Sequence, residues 1–456
     1  MTNINRRKFL DQSAKAGVGL AAGLTILQNA ASVRGAPAND RVTLAMIGTG
    51  GRGTNLAGDF ASRGDCDFAY VCDVDTVRGG AAVKMLAGKQ NGKAPKLCQD
   101  FRKMLEDHSV NAVIVATPDH WHAPATVWAC QAGKDVYVEK PPTSNIWEGR
   151  KMIEAARKYK RIVQVGTQNR SAAYNMAAKK YIADGKLGQV HMVRVYNQKS
   201  WPNFEAVPDA DPPAGLDWDM WNGPAPEAKY NRNFHRNWHH FWRYSGGDII
   251  NDGIHQIDLA RYVSGVEYPQ TVYSTGGRWD QAGAAETPDT QVAVFDFDKL
   301  IFTIELTLYT PYMLKISPII RQATDKFPFW PQCATRIEIY GSEGLMYLGR
   351  HGGGWQVFER PKLQSGVVKD QMKGLFPDPE HKENFLHCVR TRQAPNADIR
   401  EGHVSTLLSH YANISLRLGG QKLLIDRNTE QIVGNEQAMA YFKRDYRKPY
   451  VVPDEV

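Results

Sequence analysis

Short apolar runs at residues 42–47, 68–72, 112–116 and 136–138, with a closing strand candidate at 162–165, punctuate the first third of the chain. Each ends at a glycine, an acidic residue or a Thr-Pro pair. Between them lie stretches with helical spacing, most clearly 123–132 and 146–159. Strands without polar alternation are buried on both faces, and strands alternating with helices build a parallel sheet covered on both sides. The pattern predicts an α/β domain, a doubly wound parallel sheet over residues 39–165.

Beyond residue 166 the pattern changes. A helix over 171–184 and a strand over 190–198 precede a long loop, 200–244, rich in Trp, Pro, Asp and Asn. A helix follows at 252–263, then strands at 271–274, 290–297, 301–309, 335–340, 345–348 and 355–359. From Phe302 to Leu308 apolar and polar residues alternate strictly, the signature of a sheet with one packed and one open face. Val404, Leu407, Leu408 and Tyr411 return to helical spacing, so a terminal segment, 381–456, is expected to pack back on the body of a second domain over 166–380.

The 456 residues carry a formal charge of +8, but Lys and Arg are spread along the whole sequence rather than clustered, which argues against nucleic-acid binding. Arg6-Arg7-Lys8-Phe9-Leu10 followed by a small-residue apolar stretch at 14–27 resembles a twin-arginine export signal over residues 1–38, with cleavage between Ala30 and Ala38. Asn5 stands where such signals favour Ser or Thr. The stretch is too short and too rich in small residues for stable membrane insertion. The expectation is therefore a periplasmic or otherwise exported protein. Six cysteines show no metal-like spacing, and a chain folded before export is expected to keep them as buried thiols.

Gly48-x-Gly50-x-x-Gly53, with Gly51 and Arg52 inside it, closes the first strand and opens a helix. Asp73 follows at the end of the next strand, at the spacing of about 20 residues that dinucleotide folds use. The glycines admit a pyrophosphate to the helix N-terminus, and Asp73 accepts from the adenosine ribose while repelling a 2′-phosphate. This selects NAD, with NADP left open by Arg52 and Arg78. Thr117, Pro118 and His122 end the third strand, on the edge that faces the cofactor crevice. His120 and His122 lack a third ligand, so no metal is expected.

Glu139-Lys140-Pro141 at the end of the fourth strand, with Gly246-Gly247 and Gly253-Ile254-His255, completes a set that resembles the Gfo/Idh/MocA oxidoreductases across the mature chain. The resemblance implies an N-terminal Rossmann domain and a C-terminal α+β domain with a large, open, mostly antiparallel sheet used for homo-oligomerisation. It also implies hydride transfer on a carbohydrate. Oxidising a C–OH carbon needs a base within hydrogen-bond reach of the hydroxyl. Lys140 fills that role, with Glu139 orienting it, and His255 is the second acid/base candidate. Relatives carry an aspartate four residues before this position; here Asn251 stands there and the acid is Asp252. Asp252 either joins the chemistry, binding a hydroxyl with Asn251, or caps the helix. Asp252 and Asp258 are both spaced to share the face of His255. Gln168 is expected on the cofactor, and Asn169 and Arg170 on the substrate. Trp238, His239 and Tyr244, from the aromatic loop, are expected to stack on a sugar or reach its hydroxyls, with packing onto a neighbouring subunit as the rival reading.

Free nicotinamide cofactor is not expected outside the cytoplasm, so an exported enzyme of this kind is expected to retain its cofactor and reset it in each cycle. Disproportionation between two sugars, hydride exchange with an external partner, and redox-neutral glycoside cleavage through transient oxidation all meet that condition. Net carbohydrate oxidoreduction is the leading reading and NAD-dependent glycoside hydrolysis the runner-up. A non-catalytic sugar-binding protein is a third reading, against which intact Lys140 and His255 speak.

Overall fold

A computed structural model describes residues 41–201, 203–279, 283–323, 325–359 and 366–456. Residues 1–38, read from the sequence as an export signal, lie outside the described residues. Six strands form the first sheet: β1 (Val42–Ile47), β2 (Cys66–Cys72), β3 (Lys96–Cys98), β4 (Ala112–Val115), β5 (Asp135–Val138) and β6 (Val163–Val165). Their order is β3-β2-β1-β4-β5-β6, and every pairing is parallel. The chain reverses its direction of winding between β1 and β4, so their carboxyl ends open a crevice. Gly48 and Thr117 stand at its mouth. The strand β3 was not foreseen, because Lys-Leu-Cys at an edge offers no apolar run.

The second sheet has ten strands. They are β7 (Val190–Gln198), β8 (Thr271–Gly277), β9 (Thr290–Asp296), β10 (Ile301–Thr307), β11 (Arg336–Gly341), β12 (Gly344–Gly349), β13 (Trp355–Glu359), β14 (Val367–Met372), β15 (Leu423–Ile425) and β16 (Ile432–Val433). The order is β14-β13-β12-β11-β7-β10-β9-β8-β15-β16, antiparallel except between β7 and β10. Phe302, Ile304 and Leu306 of β10 point into the core, in one cluster with Ile257 of helix Gly253–Ser264 and Leu407 of helix Ile399–Arg417. On the opposite face Arg194 pairs with Glu305, while Tyr273, Val292 and Ile301 are exposed. The strands β14, β15 and β16 escape the pattern: β14 is exposed at every residue, and the others are three residues or fewer.

The C-terminal part of the chain joins the two domains. Phe385 of helix Asp378–Thr391 meets Phe60 and Tyr137 of the first domain edge-on, at 6.2 and 5.7 Å between ring centroids. Helix Ile399–Arg417 crosses β6 so closely that a Cβ on Gly402 would stand 2.5 Å from Val165. The stretch 200–244 is not a plain loop. It contains helices Trp218–Asn222 and Arg232–Asn237 and an aromatic cluster of Trp221, Phe241 and Tyr244. Among the described residues no helix is long and apolar enough to cross a membrane.

Candidate active site

A cavity of about 310 Å³ follows the crevice from Asp73 and Arg78, past the glycine turn, to Lys140 and Asn251. The helix Gly51–Ala61 that opens on it has Gly50 as its N-cap, no side-chain cap and no acidic residue in its first turn. Its first amides are therefore free for an anion. Gly48 has φ +86°, and a Cβ on it would stand 2.8 Å from the Ala116 carbonyl; one on Gly53 would stand 2.1 Å from the Gly48 carbonyl. Gly50 and Gly51 differ, for a Cβ there would meet nothing within 4 Å. The constraints on Gly48 and Gly53 pack the turn, while Gly50 and Gly51 line the cavity.

At the far side of the turn, Asp73 Oδ2 accepts from the amide and hydroxyl of Thr49, each at 2.6 Å, and Oδ1 accepts from the Asp75 amide at 2.8 Å. Those bonds fix the carboxylate in place and leave capacity on Oδ1. A dinucleotide thus fits the cradle: glycine turn for the pyrophosphate, Asp73 for the adenosine ribose. Arg52 does not act as the free cation foreseen for a 2′-phosphate. Its Nε donates to Glu139 at 2.8 Å and its Nη2 to Asp378 at 3.0 Å. Arg78 lines the cavity and pairs with Asp75 at 3.3 Å.

Lys140 follows the end of β5 by two residues, at the other extreme of the cavity. Its Nζ donates to the Asn251 carbonyl at 2.6 Å and to Asn251 Oδ1 at 3.1 Å. Burial lowers the pKa of its amine, opposed by the charges of Glu139, Asp119 and Asp252. Glu139 is buried behind it, with Oε2 accepting from the Lys140 amide at 3.2 Å. Gly166 makes room for that carboxylate, since a Cβ there would lie 2.9 Å from it. Thr117 and Pro118 line the same wall. His122 also faces the cavity, but its ring is a brace, with Nδ1 2.6 Å from the Pro141 carbonyl and Nε2 2.9 Å from that of Thr117.

Asp252 adjoins helix Gly253–Ser264, yet its side chain accepts no bond from the first turn, so the capping reading fails. Its oxygens are held instead by Lys199 Nζ at 2.9 Å and Arg350 Nη1 at 2.5 Å, with Lys315 Nζ at 3.6 Å. Although burial opposes ionisation, these cations hold the carboxyl well below the usual range. Asp252 is therefore a fixed anion and not a proton-transfer group. His255 is buried, its Nδ1 has no partner, and burial with Arg350 and Lys140 nearby lowers its pKa well below the ordinary value. Asp258 does not share its face: Asp258 accepts from Arg170 Nε at 2.9 Å and from Ser405 at 2.6 Å.

Two expected substrate contacts are corrected by burial. Arg170 is locked between Asp258 and Glu401 in the interior, where an unpaired guanidinium would be costly. Tyr244 is fully buried and donates to Asn222 at 2.8 Å, with its ring among His120 and Trp221. Trp238 does line the cavity, and His239 lies behind it against Trp201, with Nε2 unpartnered. Gln168 and Asn169 are buried on the turn after β6; Gln168 Oε1 and Asn169 Nδ2 lack partners. Among the described residues no three metal-ligating side chains converge.

Sequence reasoning passed over Asp119 and Trp221, both on the cavity wall, which His235 of the aromatic loop also lines. Asp119 is buried with its Oδ2 accepting from Ser245 at 2.5 Å, and burial pushes its carboxyl up to about 7. Its place between Pro118 and His120 in the crevice loop was the available signal. Lys199 and Arg350 directly follow β7 and β12, far from this loop in sequence, and carry none.

Residues 42–167 match the profile described as an oxidoreductase family with an NAD-binding Rossmann fold, and residues 219–347 match the GFO/IDH/MocA C-terminal domain. A myo-inositol 2-dehydrogenase of Thermotoga maritima is 25% identical over 389 residues, covering 82% of this chain and 96% of that one. A glycosyl hydrolase family 109 protein of Stenotrophomonas maltophilia is 37% identical over 145 residues, covering 30% of each chain. Coverage of such relatives' own length thus varies widely, and is 58% for the oxidoreductase YrbE of Bacillus subtilis. A levoglucosan dehydrogenase solved with NADH and levoglucosan shares the fold, with a TM-score of 0.60 at 17% identity over 84% of this chain and 99% of that one.

Proposed function

The chain belongs to the Gfo/Idh/MocA oxidoreductase family, and from that premise we propose that it oxidises a sugar or sugar derivative at a C–OH carbon. The observation that carries this reading is the single cavity joining the dinucleotide cradle to the amine of Lys140. NAD bound in that cradle supplies the hydride acceptor. Lys140, whose pKa burial lowers toward the range of a base, takes the proton of the substrate hydroxyl. Asn251 accepts two of the amine's hydrogens and so aims the remaining position into the cavity. Glu139, anchored by Arg52, fixes the strand end from which Lys140 projects. Trp238 offers a ring face to the sugar.

The proposal includes export by the twin-arginine route and a cofactor retained through the catalytic cycle. It also includes self-association through the open face of the second sheet, where Tyr273, Val292 and Ile301 are exposed. The runner-up, redox-neutral glycoside cleavage, is favoured by the 37% identity to a glycosyl hydrolase family 109 protein. Denaturing the purified protein and identifying any released nucleotide tests retention. Feeding it free sugars and aryl glycosides then separates the two readings: oxidised sugar supports the first, aglycone without net NADH the second. Failure to bind either dinucleotide defeats both.

A further inference from the structure

The stretch from Gly215 to Gly223 belongs to the second domain in sequence, yet it is tied to the first on two sides. On one side the Thr76 amide donates to the Gly215 carbonyl at 3.0 Å and the Asp217 amide to the Val74 carbonyl at 2.9 Å. Leu216 thereby pairs with Asp75 as in an antiparallel ladder. On the other side Trp121 Nε1 donates to the Met220 carbonyl at 2.9 Å, and His120 Nε2 lies 2.9 Å from the Trp221 carbonyl. Gly223 completes this contact: its φ is +47°, and a Cβ there would stand 2.3 Å from the Trp121 ring. Arg447 Nε holds the Gly223 carbonyl at 2.9 Å.

Val74 and Thr76 follow β2, whereas His120 and Trp121 follow β4. In the sheet β1 lies between those two strands, and the glycine turn follows its carboxyl end. Neighbouring strands lie about 5 Å apart, so the two anchorages face each other across roughly 10 Å of crevice. A segment fixed to both crosses that crevice. Met220 and Trp221 accordingly line the same cavity as Gly48, Gly50 and Asp73. The segment is also braced internally, with Trp218 stacked on Trp221 at 4.6 Å between ring centroids and its Nε1 donating to the Ala228 carbonyl at 2.7 Å.

We propose that residues 215–223 form a strap closed over the dinucleotide cradle, and that bound NAD leaves only when the bonds of the strap to one side of the crevice break. This builds on the proposed retention of the cofactor and names the part of the chain responsible. On either side two hydrogen bonds to main-chain groups must open together. On the Trp121 side their opening leaves the buried Trp121 and His120 rings unpaired, which is costly. A barrier of this kind slows release without touching the chemistry inside, as a cofactor reset in place requires.

The test staples the strap. Leu216 and Asp75 face each other in a pair without mutual hydrogen bonds, whose Cα atoms stand about 4.5 Å apart, within disulfide range. The full mature protein carrying Asp75→Cys and Leu216→Cys is loaded with labelled NAD, and its exchange for unlabelled NAD is followed in the oxidised and reduced forms. The oxidised form is expected to exchange at least about tenfold more slowly than the reduced form, and dithiothreitol is expected to restore exchange. In Gly223→Ala, where the new methyl wedges against Trp121, release is expected to quicken by about tenfold or more. Equal exchange in the oxidised and reduced staple, or release from Gly223→Ala no faster than from the unaltered protein, overturns the strap while leaving retention standing. Loss of NAD from the unaltered protein on a desalting column overturns retention and the closed strap together. Failure to bind NAD in any form overturns the reading of the cradle beneath both.

Discussion

Lys140 Nζ donates to the main-chain carbonyl of Asn251 at 2.6 Å, so a residue just beyond β5 of the first domain is tied directly to the second. The side chain of Asn251 adds a longer bond at 3.1 Å. The amine is therefore aimed chiefly by backbone, and its position depends on how the two domains meet rather than on one side chain.

This makes Asn251→Ala informative. The variant keeps the carbonyl and loses only Oδ1, an acceptor that favours the protonated amine. Removing it lowers the Lys140 pKa further, so the rising limb of the pH–rate profile is expected to move to lower pH. A kcat loss of about tenfold or less is expected. A purely structural role would lower activity without moving the limb.

The glycine turn separates packing from binding. Gly50→Ala adds a methyl group where nothing lies within 4 Å, so the protein is expected to fold normally yet bind NAD at least about tenfold more weakly. Gly53→Ala drives a Cβ to 2.1 Å from the Gly48 carbonyl and is expected to lower thermal stability as well. Calorimetry of nucleotide binding alongside melting curves distinguishes the two.

All six cysteines are free thiols, and Cys98 stands apart from the rest. A hydrogen bond from Cys72, its partner across β2 and β3, lowers its thiol to about 7, against the opposing effect of burial. Burial instead raises Cys66 and Cys130 to about 12. Iodoacetamide near neutral pH is expected to alkylate Cys98 first, with a rate rising through pH 7. Mass mapping of the modified peptide reads the result.

Buried neutral histidines should make the fold acid-sensitive. Burial lowers His120 and His410 to about 3 and His235, His240 and His381 to about 4. Between those values and the ordinary value near 6.5, the unfolded chain binds protons that the native state does not, so stability rises with pH across that window. Denaturant melts are expected to weaken steadily from about pH 6.5 down to about pH 4. A flat profile would mean that these rings are solvated.

The parallel sheet was legible because every strand buried on both faces leaves an uninterrupted apolar run, as in residues 112–115. The edge strands β3 and β14 left none, since their residues are largely exposed. Lys140, Glu139 and the glycine turn were legible because the chemistry resides in consecutive residues. Arg170 and Tyr244 were misplaced because a polar side chain in a loop looks the same whether it meets substrate or a buried partner such as Asp258 or Asn222. The cations around Asp252 come from the residues just after β7 and β12 and from the segment between β10 and β11, and only folding brings Lys199, Arg350 and Lys315 together.

The most direct test of the account is Lys140→Met, measured for nucleotide binding and for sugar-dependent NADH formation in the same preparation. NAD is expected to bind within a few-fold of the unaltered protein, while hydride transfer falls by a factor of about 100 to 10,000, the usual worth of a general base. Undiminished NADH formation in that variant would contradict the role given to this amine and, with it, the reading of the whole cleft.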